Sequence, residues 1–157
     1  MKPACVRVSR VIGVPAARAY AVLSDYRQHH PKILPQPTFG ALDVEEGGVG
    51  AGTRIRVTMR VMGRPRVLRM LVREPEPGRV LVEEDVDTGD VTTFTVRPRG
   101  DAACEVEIAT TWKAKPGVAG WLERMFNPRV AGPLYEKELE NLEAYARSLV
   151  NARAPPS

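Results

Sequence analysis

From residue 38 to residue 113 the chain reads as a run of short strands, and no other feature restricts its fold as much. Apolar and polar residues alternate with a period of two, which places each set on its own face of a pleated strand. Arg54 to Met62 shows this best: Ile55, Val57, Met59 and Val61 share one phase, and Arg54, Arg56, Thr58 and Arg60 the other. Residues 66–74 continue it with Leu68, Met70 and Val72 in one phase. Further strands are expected at 39–45, 79–86, 91–98 and 103–113. The connections are glycine- and proline-rich and short: 47–52, Gly63-Arg64-Pro65, Pro75 to Gly78, Thr88-Gly89-Asp90 and Arg99-Gly100-Asp101. Connections of that length join neighbouring antiparallel strands and exclude crossovers, so the six strands form a meander.

Helical signals flank the meander. Residues 4–12 are valine-rich and extended, and Pro15 then suits the first turn of a helix. Ala16 to Leu23 follows with Ala19, Val22 and Leu23 on one side. Asp25 can cap a second short helix over about 26–34, which Pro35 and Pro37 end. Residues 117–150 carry a helical period: Trp121, Leu122, Met125 and Phe126 form one apolar group, and Leu134, Tyr135, Leu139, Leu142, Ala146 and Leu149 extend it. Glu136, Lys137, Glu140 and Glu143 take the other side, and Pro128 and Pro133 predict a kink or break near 127–133. The expected architecture is α+β: one domain over 1–150, a long C-terminal helix packed across an antiparallel sheet, and a frayed tail at 151–157.

Composition excludes several functions. The net charge of +4 is mild, and 18 of the 23 basic residues are arginine. Eight arginines lie between residues 54 and 79, and Arg54, Arg56, Arg60, Arg69 and Arg73 oppose the apolar phase, so a basic stripe on the outer sheet face is expected. No aromatic residues are interleaved there, which argues against nucleic acid; the stripe instead suits a solvated face or an acidic protein partner. Cys5 and Cys104 are too isolated for a metal motif and read as reduced thiols. The N-terminus has no apolar signal region and no apolar run approaches the ~18 residues of a span, so a cytoplasmic protein with no stable membrane insertion is expected, as monomer or homodimer.

No nucleophile elbow, zinc-protease or phosphate-loop motif is present. Gly48 to Gly52 fails the dinucleotide spacing at Thr53 and joins two strands, so it reads as a turn. No cofactor and no metal are expected, because adjacent His29 and His30 point about 100° apart on a helix. One of them at a cavity mouth could act as a base; a solvated surface position is the plainer reading. Glu83, Glu84, Asp85, Asp87 and Asp90 cluster around one hairpin. Glu84 shares a phase with Val80 and Val82, which predicts that it points inward.

The string Ile12-Gly13-Val14-Pro15-Ala16-Ala17-Arg18-Ala19-Tyr20 leads into Leu23-Ser24-Asp25-Tyr26. With Pro31-Lys32-Ile33-Leu34-Pro35, the glycine turn before Thr53-Arg54-Ile55 and the element order, it resembles the START-like helix-grip (Bet v 1-like, SRPBCC) superfamily and its polyketide cyclase/dehydrase-like group. The resemblance spans about residues 4–149. His29-His30 stands where that family often has tryptophan, and its last helix is usually more regular. The resemblance implies a bent seven-stranded sheet, two short helices after the first strand, and a cavity under the long helix for an apolar or amphipathic molecule, lipid- or polyketide-like. It directs the apolar phases toward that cavity: Leu34, Ile55, Val57, Met59, Leu68, Met70, Val82, Phe94, Ile108 and Trp112, with Leu122, Met125, Phe126 and Leu139 from the helix. Tyr26, His30, Glu84, Thr110 and Tyr135 are the expected polar ligand contacts. Binding or transport is the first expectation. A cyclase/dehydrase-type enzyme using His30 or Glu84 is the second, and an interaction module using the basic face the third.

Overall fold

The structure is a computed structural model, described here over residues 4–61, 63–112 and 128–152. Strand β1 (Ala4–Ile12) leads into helix α1 (Ala16–Ser24), and strands β2 (Phe39–Glu46), β3 (Arg54–Val61), β4 (Arg64–Glu76), β5 (Val80–Asp85), β6 (Val91–Pro98) and β7 (Cys104–Trp112) follow. Helix α2 (Pro128–Ala152) closes the order. The seven strands form one antiparallel sheet in the order β1-β7-β6-β5-β4-β3-β2. The meander is therefore as the turn lengths require, and β1 is carried across to its far edge.

The register aligns the buried phases. Leu81 lies opposite Phe94, Phe94 opposite Ile108, and Ile108 opposite Val8. The first three are buried at 2% exposure or less and form the floor of the core. Helix α2 covers one side of that floor with Ala131, Tyr135, Leu139, Leu142 and Ala146, a stripe at near four-residue spacing. It packs chiefly on β1 and α1. Glu143 ties it there by accepting from the Gly13 N–H at 2.8 Å and from Arg10 at 3.2 Å. Asn141 donates to the Ile33 carbonyl.

The glycine turn between β2 and β3 also positions the end of α1. Tyr26 N–H donates to the Gly48 carbonyl at 2.8 Å and Gly50 N–H to the Ser24 carbonyl at 2.9 Å. Gly48 has φ of 139°, and a Cβ there would meet the Arg27 side chain, whose guanidinium donates to the Gly47 carbonyl. Glu74 of β4 accepts from the Tyr20 hydroxyl and from Ala51 N–H, so three segments meet at one carboxylate.

Three sequence expectations are corrected. The second helix over 26–34 shrinks to a single 3₁₀ turn, His30–Lys32. Asp25 does cap, accepting from the N–H groups of Arg27 and Gln28, but Pro31 and Pro35 remove donors that a longer helix needs. The expected break at Pro133 is absent: α2 begins at Pro128 and continues through Pro133. The ring costs the helix one intrahelical hydrogen bond, and the buried stripe of Ala131, Tyr135, Leu139, Leu142 and Ala146 carries the helix past it. The part of the expected break at 127, and helix over 117–127, lie outside the described residues.

The third correction concerns phase. On β5, Leu81 and Asp85 are buried with Glu83 between them, while Glu84 turns to the outer face and pairs with Arg73. Leu81, not the valines, sets the inward phase, so Glu84 is not an interior group. Cys5 and Cys104 are unbridged, near opposite ends of the β1–β7 ladder.

The phase assignment makes two different mutational outcomes. Leu81→Ala should destabilise by about 2–5 kcal/mol, the usual cost of emptying a buried leucine site. Glu84→Ala, which opens a partly solvated ion pair, should cost under about 1 kcal/mol. Urea unfolding of the two variants checks this; equal losses would contradict the register.

Candidate functional site

Between the concave sheet face, α2 and the chain from His30 to Leu42 lies a cavity of about 450 Å³. Its position follows from the packing: α2 rests on the β1 side of the sheet, and among the described residues no helix is packed closely on β3 and β4. Ile55, Val57 and Met59 of β3 and Leu68 and Met70 of β4 form that apolar wall. Leu34 and Phe94 complete it, and Thr110 and Tyr135 add two hydroxyls. These nine and His30 were all expected at a pocket, and the structure brings them to one.

Other expected contacts lie elsewhere. Tyr26, Ile108, Trp112 and Leu139 are buried but form packing behind the wall. Val82 shares the outward phase of Glu84 and stands outside both the core cluster and the wall. Leu122, Met125 and Phe126 lie outside the described residues.

The cavity changes character at the end nearest β5 and β6. His30 is only 2% exposed, against the plain expectation of a solvated histidine. Its ring stacks on Tyr26 with centroids 4.5 Å apart and meets the Phe94 edge at 5.8 Å. His30 Nδ1 lies 2.7 Å from the Leu23 carbonyl, which only accepts, so Nδ1 carries a proton. Nε2 then faces Glu83 Oε1 at 3.6 Å. The Tyr26 hydroxyl donates to the same oxygen at 2.7 Å. Burial, then the Glu83 charge, hold the Tyr26 phenol well above its ordinary value. His29 is separate: its Nδ1 meets the Tyr145 hydroxyl at 2.8 Å on the outside of α2.

A second polar line crosses the sheet. Thr92 and Thr110 hydroxyls are 2.8 Å apart, and Thr110 is hydrogen-bonded to the Tyr135 hydroxyl. Burial pushes the Tyr135 phenol up to about 12.

Sequence reasoning missed the group at the centre of this end. Glu138 projects from α2 into the cavity and is 4% exposed. Among the described residues its carboxyl has no hydrogen-bond partner. Desolvation first, and the neighbouring Glu83 second, push its pKa up to about 8. The signal was available, because Glu138 is four residues from both Leu134 and Leu142, on the apolar stripe. Glu83, Asp85 and Asp90 also reach the wall. Asp85 is served by N–H donors from Asp87 and Thr88, with Arg66 at 3.8 Å.

The outer stripe is a different kind of surface. Arg54, Arg69 and Arg73 are paired with Glu46, Asp87 and Glu84, so much of its charge is answered within the sheet. Among the described residues no group of three or more His, Cys, Asp or Glu side chains is placed to hold a metal ion. No helix of the described residues is long and apolar enough to cross a membrane.

Glu138 has a consequence for stability. Its pKa is raised in the folded state, so between the unfolded value near 4.5 and about 8 the folded protein binds the extra proton. Stability therefore falls as pH rises through that window, by on the order of a few kcal/mol in all. Glu138→Gln should abolish this slope: the variant should gain stability over the parent at pH 8 and match it near pH 4. Paired urea titrations at the two pH values decide it.

Comparison with known proteins adds to this geometry. The sequence profile described as "Polyketide cyclase / dehydrase and lipid transport" matches residues 3–147. No curated protein matches. Among solved structures, the KanY protein is 29% identical, with a TM-score of 0.80, over 94% of this chain and 99% of its own. A START superfamily protein from Mycobacterium smegmatis is 16% identical, with a TM-score of 0.69, over 92% and 98%. The Zhui aromatase/cyclase from a Streptomyces species is 15% identical, with a TM-score of 0.71, over 94% and 95%. At those identities the last two share the fold alone.

Proposed function

The chain belongs to the polyketide cyclase/dehydrase and lipid transport family, in the START-like helix-grip superfamily, and on that footing we propose that its cavity binds an apolar or amphipathic small molecule. One observation carries the reading: a cavity of about 450 Å³ with aliphatic walls on β3 and β4 and a small set of buried hydroxyl and carboxyl groups beside them. That volume lies within the range of small-molecule sites, and such sites combine apolar walls with a few polar groups that set orientation. Burial of ligand surface would supply affinity at roughly 25 cal/mol per Å². The groups best placed to orient a ligand are His30, Glu83, Thr110, Tyr135 and Glu138.

The reading is tested first by native mass spectrometry of the purified protein and solvent extraction of any bound molecule. A titration with N-phenyl-1-naphthylamine, an uncharged fluorescent probe, tests it further. Leu68→Trp places an indole in the cavity and should weaken the probe at least about tenfold, roughly 1.4 kcal/mol. Val67→Trp, on the opposite face of the same strand, should leave it unchanged. Equal binding by both variants would place the probe elsewhere.

A catalytic reading of the cyclase/dehydrase type rests on a separate observation: the buried Glu138 carboxyl has no hydrogen-bond partner among the described residues and lines the same cavity as His30 and Glu83. A group with a pKa near the working pH can both give and take a proton. In this reading Glu138 and His30 transfer protons to and from a poly-ketone chain, with Glu84 excluded by its outward position. Turnover of such a substrate unchanged in both His30→Ala and Glu138→Gln would remove it.

A further inference from the structure

The charges lining the cavity are segregated. Four carboxyl groups reach it, from Glu83, Asp85, Asp90 and Glu138, against two cations, Arg60 and Lys137. The carboxyl groups belong to residues at the closed end, with Asp85, Asp90 and Glu138 between 4% and 6% exposed. Lys137 has 61% of its side chain in solvent and pairs with Glu140, and Arg60 is exposed. Cations at the rim are thus solvated, while acids inside are not.

The inner acids differ in how they are served. Asp85 has two backbone donors and Arg66 nearby. Glu83 has the Tyr26 hydroxyl and His30. Glu138 has neither a donor nor a cation among the described residues, yet it faces the cavity from a rigid helix. A buried carboxyl without a partner is costly, and here it is coupled to a second carboxyl. Among the described residues the pair has no cation beyond His30, and the side on which one can approach is the cavity.

We propose that the Glu83–Glu138 pair is an anchor for a cationic group, so that the preferred ligand is an amine on an apolar or aromatic body. This rests on the cavity being a binding site. The aliphatic wall of β3 and β4 takes the body, and the ammonium lies between the two glutamates. A neutral hydroxyl or ketone could accept or donate one hydrogen bond at Glu138, but it brings no charge to either carboxyl. A carboxylate ligand would add a third negative group.

The titratable groups facing this space are Glu83 and Asp85 on β5, Asp90, His30, Arg60, and Tyr135 and Lys137 on α2, with Tyr26 behind Glu83. Burial, and the Glu83 charge after it, push the Glu138 carboxyl up to about 8. At pH 7 it is mainly protonated, and an arriving ammonium favours its ionised form. Amine binding therefore releases a proton to solvent, close to one per site.

The test uses three probes on one skeleton: 2-(2-naphthyl)ethylamine, 2-(2-naphthyl)ethanol and 2-naphthylacetate, measured by calorimetry with the full chain. The amine should bind at least about tenfold more tightly than the alcohol, as expected for a charge-assisted contact. Repeating the amine titration at pH 7 in buffers of different ionisation enthalpy should show release of roughly one proton. Glu138→Gln should abolish both the preference and the release while still binding the alcohol, and Glu138→Asp should restore part of each. Circular dichroism confirms that the variants fold. Equal binding of amine and alcohol, or tightest binding of the carboxylate, overturns the anchor and leaves the cavity reading standing. A preference that survives in Glu138→Gln also overturns it. Failure of all three probes together with N-phenyl-1-naphthylamine overturns both.

Discussion

A helix is too narrow to cover a seven-stranded sheet, and the cavity is the result. Strands lie about 4.8 Å apart, so seven span roughly 30 Å, whereas a helix with its side chains is about 10–12 Å across. Helix α2 must therefore choose a side. Glu143 decides it by gripping Gly13 and Arg10 at the β1 edge, and Leu139, Leu142 and Ala146 bury themselves there. The inner faces of β3 and β4 stay aliphatic, and among the described residues no helix is packed closely on them. An apolar face without a partner has to be closed by sheet curvature or filled by something else. The chain from His30 to Leu42 closes part of the space and leaves the rest.

The polar end of that space sets a cost against the fold. An unpartnered Glu138 lowers stability at neutral pH, and any aliphatic residue of similar size would pack better beside Leu134 and Leu142. Tyr26, His30 and Glu83 are in contrast mutually satisfied, and they hold one another through stacking and hydrogen bonds. The difference separates framework from site. His30 and Tyr26 fix where Glu83 points, while among the described residues nothing fixes Glu138 except its place on the helix. Groups whose environment perturbs them without rewarding them are the usual marks of a functional surface.

Much of this arrangement was legible in the residues. The period-two runs place Ile55, Val57, Met59 and Met70 on the inner face because each strand repeats its phase over several residues. On β5 the run is short, and Val80, Val82 and Glu84 offer as good an alternation as Leu81, Glu83 and Asp85. A shift of one residue reverses every side chain, so the error moved Glu84 in and Glu83 out. Only pairing of Leu81 with Phe94 resolves that choice, and it is a long-range fact. The helix errors have local causes. Pro133 removes one intrahelical hydrogen bond, and the buried stripe of Tyr135, Leu139, Leu142 and Ala146 that follows holds α2 through it. A charged residue on an apolar stripe, such as Glu138, is readily assigned to the solvent face when charged neighbours flank it.

Family membership bounds the function without choosing it, since one fold hosts binding proteins and enzymes alike. Neighbours sharing 15–16% of residues share the fold alone, so the chemistry of the closed end has to be read from this chain's own side chains. In this chain the closed end is built from five elements: the segment after α1, β5, β6, β7 and α2. Each contributes one or two polar groups, Thr92, Thr110 and Tyr135 forming a hydroxyl line and Glu83 and Glu138 an acidic pair. Hydroxyls adapt, because each can donate or accept; carboxyls in an apolar wall do not, because their charge has to be matched or removed. Discrimination between ligands of equal size and apolarity therefore falls on the two glutamates, and most of it on Glu138, which no described residue serves.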